Sequence, residues 1–328
     1  MTGATATARA HPNLALVKYW GKRDEQLMLP ETGSLSLTLD TFPTTTTVTL
    51  DDSLEADVLE LDGAEQTGEA LRRVVRLLDL VRERTGDHRF AHVRTANTAP
   101  TGAGLASSAS GFAALATAAS ATWGMPMDTP SLSRLARRGS GSAARSVVPG
   151  VALWHAGEDD ATSFAEPVPA PPLAMVIALV SKASKAISSR EAMRRTSATS
   201  PFHDGWVSST QQTLEDMVAA CRAGDLPRIG ELTELSALRM HAMIQGAEPP
   251  IRYLAPTSIA VLDRVVALRD EEGIGAWATA DAGPNVAVLC APEDTARVEA
   301  ALADLAPTTT AHAGPGARLV TEDDEATA

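Results

Sequence analysis

The chain has 328 residues, enough for one large or two ordinary domains, and 44% of them are apolar, so a sizeable buried core is expected. The net charge of −13 argues against a protein that grips nucleic acid through many phosphates, while leaving small phosphorylated ligands open, because a single site can be locally basic. Only two cysteines occur, Cys221 and Cys290, far apart and outside any CxxC pair, which argues against a disulfide framework and a zinc site. The start, "MTGATATARA", lacks an apolar signal core, and no apolar run reaches membrane-spanning length. A soluble protein of a reducing compartment, the cytoplasm, is expected.

Taken in order, "LALVKYW" (14–20) reads as a buried strand. "SLSLTLD" (34–40) and "TTTTVTL" (44–50) alternate and are β-branched, which predicts a hairpin or meander around Pro43. "ADVLELDG" (56–63) predicts a strand ending in an Asp-Gly turn. Residues 69–84 place Leu71, Val74, Val75, Leu78 and Val81 on one helical face, with Arg and Asp opposite. A strand at 90–97 leads into a small-residue loop and then a helix over 108–121. Residues 131–148 read as helical with a break at Gly139 and Gly141, and 150–157 as a strand.

"PVPAPP" (167–172) is a stiff, extended segment and the expected domain boundary, dividing the chain into 1–172 and 173–328. Beyond it, 173–181 is a continuous apolar strand. Helices are expected over 186–198, 205–223, 228–245 and 257–271, then strands at 274–281 and 285–291, a helix over 294–306, and a short strand at 317–320. The acidic end, "TEDDEATA", reads as a frayed tail. This order fits two α+β domains of similar size.

The loop "APTGAGLASSASG" (99–111) resembles a phosphate loop yet matches neither standard fingerprint. The P-loop needs a Lys after its second Gly, and the dinucleotide fingerprint needs a third Gly where Ser107 stands. One reading is a glycine-rich bend with Ser107 or Ser108 as helix cap. The other uses the same physics for binding: a helix start offers unpaired N–H groups to an anion, and two hydroxyls offer oxygen to phosphate or magnesium.

Positive charge is found elsewhere in the chain. "SGSAARS" (140–146) sets Arg145 among hydroxyls, as an exposed helix residue or as a bidentate clamp on carboxylate or phosphate. "VKYWGKRD" (17–24) puts Lys18 inside an apolar strand, where burial demands a partner; if the strand continues, Lys18, Trp20 and Lys22 share a face and Tyr19 points the other way. "SKASKAISSREAM" (181–193) gathers Lys182, Lys185 and Arg190. "ATADAGPNV" (278–286) sets Asp281 at a strand end, before a turn that favours Asp for local reasons too. His88 and His92 lack a helical setting for a zinc pair, and no Ser-His-Asp or Gly-x-Ser-x-Gly pattern occurs.

Together, "NLALVKYWGKRD", "LPETGSLSLTL", "PTGAGLASSASGFAAL", "SGSAARS", "SSREAM" and "TADAGPNV", in this order over residues 11–291, resemble the mevalonate diphosphate decarboxylases of the GHMP kinase superfamily. The resemblance implies a two-domain α+β fold, with an N-terminal ribosomal-S5-like part, a C-terminal ferredoxin-like part and the site in the cleft between them. It implies ATP and Mg2+ as co-reactants. Pro100, Gly102, Gly104, Leu105, Ala106, Ser107 and Ser108 fall where the family wraps ATP phosphates, with Ser107 and Ser108 also at the metal. Tyr19, Lys22 and Arg190 fall where it holds the substrate diphosphate. Ser140, Ser142 and Arg145 fall where it orients the substrate, with Arg145 at the carboxylate, and Met193 at an apolar substrate contact. Asp281 matches the catalytic aspartate and Lys18 its basic neighbour. Departures are small: Ala144 stands where Cys is frequent and Gly102 where Ala is frequent.

The implied reaction phosphorylates the 3-hydroxyl of (R)-5-diphosphomevalonate, then loses phosphate and CO2 to give isopentenyl diphosphate. A homodimer is implied by the family alone. The rivals are a 3-hydroxyl kinase that stops before decarboxylation, a decarboxylase of the monophosphate, and a silent nucleotide-binding module. Retention of Asp281 with Lys18, of Lys22 with Arg190, and of the loop serines argues against each in turn.

Overall fold

The computed structural model describes residues 3–98, 107–181 and 187–320, with Ser107 described by its backbone alone. Pro100, Gly102, Gly104, Leu105, Ala106, Lys182, Lys185 and the acidic tail lie outside the described residues.

Among the described residues, two larger sheets and one two-stranded ribbon form in the first half of the chain. Its elements are β1 (Thr5–Ala10), β2 (Asn13–Val17), β3 (Lys22–Asp24), β4 (Leu29–Pro30), β5 (Ser34–Thr38), β6 (Thr44–Leu50), β7 (Val58–Leu61), β8 (Ala64–Gln66), α1 (Gly68–Thr85), β9 (Ala91–Asn97), α2 (Ser107–Thr122), α3 (Thr129–Gly139), α4 (Ala143–Ser146), β10 (Val151–Trp154) and β11 (Ala165–Pro167). The six β-branched residues of β6 alternate between buried and half-buried, so one face of the strand can pack on helices. Asp62 and Gly63 both take positive φ and close the tight β7–β8 hairpin, one strand more than the sequence reading expects. The alanines of α2 let it lie close on β1 and β6, and α1, α2 and α3 seal that face. Asp128 caps α3 through the Ser131 N–H, at 2.9 Å.

The second half contributes β12 (Ala174–Ala178), α5 (Ser189–Thr199), α6 (His203–Ala223), α7 (Leu226–Gln245), α8 (Pro256–Asp270), β13 (Ala276–Thr279), β14 (Val286–Cys290), α9 (Thr295–Leu302), β15 (Thr308–His312) and β16 (Arg318–Leu319). The strand orders are β16-β1-β6-β9-β7-β8, β11-β10-β5-β2 and β13-β14-β12-β15. The uninterrupted apolar run of β12 has a physical reason: both its faces are buried. Met175 and Ile177 join one core with Leu14, Leu37 and Leu153, while Ala174, Val176 and Ala178 join another under α8 and α9. The first of these cores therefore draws on residues from both sides of the Pro-rich segment. β16 returns to pair with β1.

Three expectations are corrected. The hairpin or meander expected of residues 34–40 and 44–50 does not form: β5 pairs with β2 and β10 in one sheet, while β6 pairs with β1 and β9 in another, so the segment around Pro43 crosses between sheets. The strand expected over 14–20 stops at Val17, so Lys18, Trp20 and Lys22 do not share a strand face. The pairing of β2 with β5 already slips between Ala15 and Val17, and Gly21 at φ +93° turns the chain into β3. The polar face expected of α1 is not all solvated: Arg82 is buried and forms an ion pair with buried Asp57, with a second bond to Asp79 at 2.8 Å.

Asp57 also accepts the Ala91 N–H at 2.9 Å, so it ties α1 to the strand that follows. Asp57→Ala leaves the Arg82 charge buried with its main partner gone. We expect a loss of about 3 kcal/mol in unfolding free energy, read from urea denaturation, with turnover per folded molecule unchanged.

Candidate active site

The end of β2, the bend around α4, the first turns of α1, α2 and α5, and the turn after β13 converge on one cleft of about 500 Å³. At its base lies Lys18, 1% exposed. The chain leaves β2 at this residue, and the side chain folds back to donate to the Ala15 carbonyl at 2.9 Å. Its other partner is the Asp281 carboxylate at 2.6 Å, whose side chain is 39% exposed. Burial pulls the Lys18 ammonium below its ordinary pKa, Asp281 pulls it back up, and the nearby charge of Arg145 lowers it further. The pair thus presents one partly open carboxylate backed by one sealed cation.

Arg145 is fixed by its surroundings rather than free to reach. Its Nε donates to Asn13 Oδ1 at 3.1 Å, a terminal nitrogen donates to Ser34 Oγ at 2.7 Å, and the guanidinium lies 5.8 Å from the Trp154 ring. Asn13 in turn donates to the Ser142 carbonyl and to Ser146 Oγ, which locks the short helix α4 against β2. Burial lowers Arg145 to about 10, partly offset by Asp281, so it stays charged at neutral pH.

Tyr19 faces the same cleft, not the opposite side as an unbroken strand would require, because the strand ends before it. Its ring packs edge-on to Trp154 at 4.9 Å, its buried hydroxyl has no hydrogen-bond partner among the described residues, and burial pushes its pKa up. Gly141 makes this possible: a Cβ there would sit 2.7 Å from Tyr19 Oη. Gly21 is constrained in the same way, with the Glu31 carboxylate 2.6 Å from where its Cβ would be.

One wall of the cleft is cationic. Lys22, Arg73 and Arg190 line it together. Lys22 is lowered to about 8 by burial first and by Arg190 next, with Glu25 opposing. Arg73 is lowered to about 10 by burial and then by Arg190. Arg73 donates to the Gly139 carbonyl at 2.9 Å and lies 4.5 Å over the Phe112 ring, but its buried Nε has no partner among the described residues. Arg190 bonds Glu69 on α1 at 3.3 Å. Ser188 caps α5 through the Glu191 N–H at 3.2 Å, and Trp20 donates to Thr196 Oγ1 at 2.7 Å, so α5 is seated against the Lys18–Lys22 segment. Met193 adds an apolar contact at the cleft and packs on the core beneath.

At the start of α2 the Ser108 hydroxyl lies 3.3 Å from that of Ser140. Ser140 and Ser142 both line the cleft. Among the described residues no cluster of three or more His, Cys, Asp or Glu could hold a metal ion alone. The donors on this side are hydroxyl and carboxylate oxygens, which suits magnesium that takes most of its remaining ligands from phosphate and water.

The structure therefore brings Lys18, Tyr19, Lys22, Ser108, Ser140, Ser142, Arg145, Arg190, Met193 and Asp281 to one cavity. The sequence reading missed Arg73 and Asn13. Arg73 looked like any charged residue on the outer face of α1. Asn13 carried a legible signal, a polar side chain opening an otherwise apolar strand.

Comparison with known proteins agrees with this geometry. The diphosphomevalonate decarboxylase-like N-terminal domain family matches residues 10–165, and the mevalonate 5-diphosphate decarboxylase C-terminal domain family matches residues 175–325. A chain solved in complex with MVAPP, AMPPCP and magnesium is 44% identical, with a TM-score of 0.92 over 97% of this chain and 99% of that one. Mevalonate diphosphate decarboxylase from Staphylococcus aureus is 38% identical, with a TM-score of 0.93 over 97% of this chain and 98% of that one. The human diphosphomevalonate decarboxylase is 36% identical over 322 residues, covering 91% of this chain and 80% of that one. These likenesses extend through both halves of the α+β architecture, and they establish that the chain belongs to the diphosphomevalonate decarboxylase family.

Proposed function

We propose that this protein decarboxylates (R)-5-diphosphomevalonate to isopentenyl diphosphate at the expense of ATP, in the cleft between residues 1–172 and 173–328. The observation that carries this reading is the contact of Lys18 Nζ with Asp281 Oδ1 at 2.6 Å, at the base of a cleft whose wall is cationic. A solved relative holds MVAPP, AMPPCP and magnesium together, which supports the same ligand classes here.

The difficulty in the chemistry is the leaving group, because hydroxide departs poorly from a tertiary carbon. ATP with magnesium, when bound, supplies the phosphoryl group that turns the 3-oxygen into a good leaving group. Asp281 orients the 3-hydroxyl and accepts its proton at the carboxylate. Lys18 keeps that carboxylate ionised and offsets negative charge arriving beside it. Arg145, braced by Asn13 and Ser34, holds the substrate carboxylate, with Ser140 and Ser142 orienting the substrate beside it. Phosphate departure then leaves positive charge at C3, and the C–C bond to the carboxylate breaks to supply the alkene electrons.

Tyr19, Lys22 and Arg190 hold the diphosphate, and Arg73 joins them because its unpartnered Nε and its place on the wall suit the same anion. Met193 packs against the apolar part of the substrate. The segment 100–106 with Ser107 and Ser108 takes the nucleotide phosphates, and Ser107 and Ser108 supply hydroxyl oxygen to magnesium. A cytoplasmic homodimer is part of the proposal. Cys221 and Cys290, both buried and free, suit a reducing compartment; cell fractionation and sedimentation would test location and assembly. Among the described residues no helix is long and apolar enough to cross a membrane.

Purified protein incubated with MgATP and (R)-5-diphosphomevalonate is expected to release ADP and CO2 in equal amounts. ADP without CO2 would indicate a kinase that stops at the phosphorylated alcohol, and turnover of the monophosphate alone would indicate the other decarboxylase. Asp281→Asn is expected to lower kcat by roughly 10³-fold while ATP-analogue affinity stays unchanged. Strong residual turnover would refute the role given to Asp281.

The lowered pKa of Lys22 has a consequence for binding. A diphosphate beside it stabilises the ammonium and raises its pKa, so binding takes up a proton once pH passes about 8. Substrate affinity should therefore fall as pH rises through that value, approaching about tenfold per unit. Arginine stays charged in this range, so the ratio of wild-type to Lys22→Arg affinity, measured by calorimetry from pH 7 to about 9.5, isolates the effect.

A further inference from the structure

Two side chains on α7 lie outside the lining of the cleft, yet one bonds the backbone of Lys18 and the other the residue just before Asp281. The strands that deliver the pair, β2 and β13, are both at the edge of their sheets, and α7 packs against both. Edge strands leave backbone groups open, and α7 closes several of them. Ser236 Oγ accepts the backbone N–H of Lys18 at 3.0 Å. His241 Nε2 lies 3.2 Å from the carbonyl oxygen of Ala280, the residue before Asp281. A carbonyl only accepts, so Nε2 carries the proton. Glu234 Oε1 accepts the Ala278 N–H at 3.2 Å, which fixes the register of the helix on the strand.

Ser236 and His241 are 2% and 4% exposed, so neither bond is shared with bulk water. Burial lowers His241 to about 4, which keeps the ring neutral and in one tautomer at neutral pH. Five residues apart on one rigid helix, they are held at a fixed separation of roughly 7.5 Å along its axis.

We propose that Ser236 and His241 are positioning residues, through which α7 sets the distance between Lys18 Nζ and Asp281 Oδ1. The proposal rests on the reading of Lys18 and Asp281 as the reacting pair. A misplacement of about 1 Å in such a pair costs on the order of a hundredfold in rate, whereas substrate binding depends on the other wall.

His241→Leu removes the donor, and His241→Gln restores an N–H at similar reach. In His241→Leu we expect kcat to fall by about tenfold or more, with KM for both substrates within about twofold, and in His241→Gln recovery to within about threefold of wild type. The same proteins, with isotope-labelled lysine, allow NMR titration of the Lys18 Cε signal, assigned by its loss in Lys18→Arg. Its pKa should drop further in His241→Leu, because Asp281 no longer offsets burial, and return in His241→Gln. A folded His241→Leu with unchanged kcat and unchanged Lys18 titration overturns the proposal, as does equal impairment in both variants. If His241→Leu does not fold, Ser236→Ala carries the same two readouts with the same expected directions. If the wild-type protein releases neither ADP nor CO2 from diphosphomevalonate, the reaction is misassigned, and the NMR arm still decides whether α7 positions the pair.

Discussion

A lysine ammonium sealed from water must be answered by negative charge, and much of this structure follows from that requirement. Lys18 finds its answer in Asp281, 263 residues away in sequence. Without it the lysine would carry an uncompensated charge in a dry site, a penalty of several kcal/mol, whereas the partly open carboxylate can also be met by water. The end of β2, the end of β13 and the helix α7 between them are therefore tied to one contact. The same burial that makes the contact necessary also fixes it, because a carboxylate held against a fixed cation needs little reorganisation when charge develops beside it.

The second constraint is repulsion. An acidic protein of net charge −13 places Lys22, Arg73, Arg145 and Arg190 around one cavity. Burial first and the charge of Arg190 next lower Lys22 and Arg73, so the wall concentrates positive charge that the cleft itself only partly offsets. Global charge carries no information about this site. Glu69, which also lines the cleft, bonds Arg190 at 3.3 Å and partly offsets the cations there.

Precision in the cleft comes from neighbours that cannot move. Arg145 is braced on two sides by Asn13 and Ser34, and Tyr19 is wedged between Trp154 and the backbone of Gly141. The core below, shared by β2, β5, β10, β12, β14, α6 and α7, joins the two halves of the chain under the site. A site assembled from both halves can then be as rigid as one built on a single sheet.

Local order was legible in the sequence. The period of α1, the alternation of β6, the apolar run of β12 and the motifs around Lys18, Arg145, Arg190 and Asp281 all depend on neighbours in the chain, and they identified most elements and most of the cleft. β1, β4 and β15 were not legible, because each carries too weak an apolar or alternating pattern of its own and is specified by the strands it pairs with. Three further features belong to the tertiary structure alone. β2 stops at Val17, which turns Tyr19 into the cleft; Arg73 leaves the solvated face of α1 for the cationic wall; and Ser236 and His241 bond the backbone of Lys18 and of Ala280, next to Asp281. Each rests on contacts between residues distant in sequence, and residue type alone does not say which distant groups will meet. The sequence determined which chemistry was present, and packing decided where each charge would stand and what would hold it there.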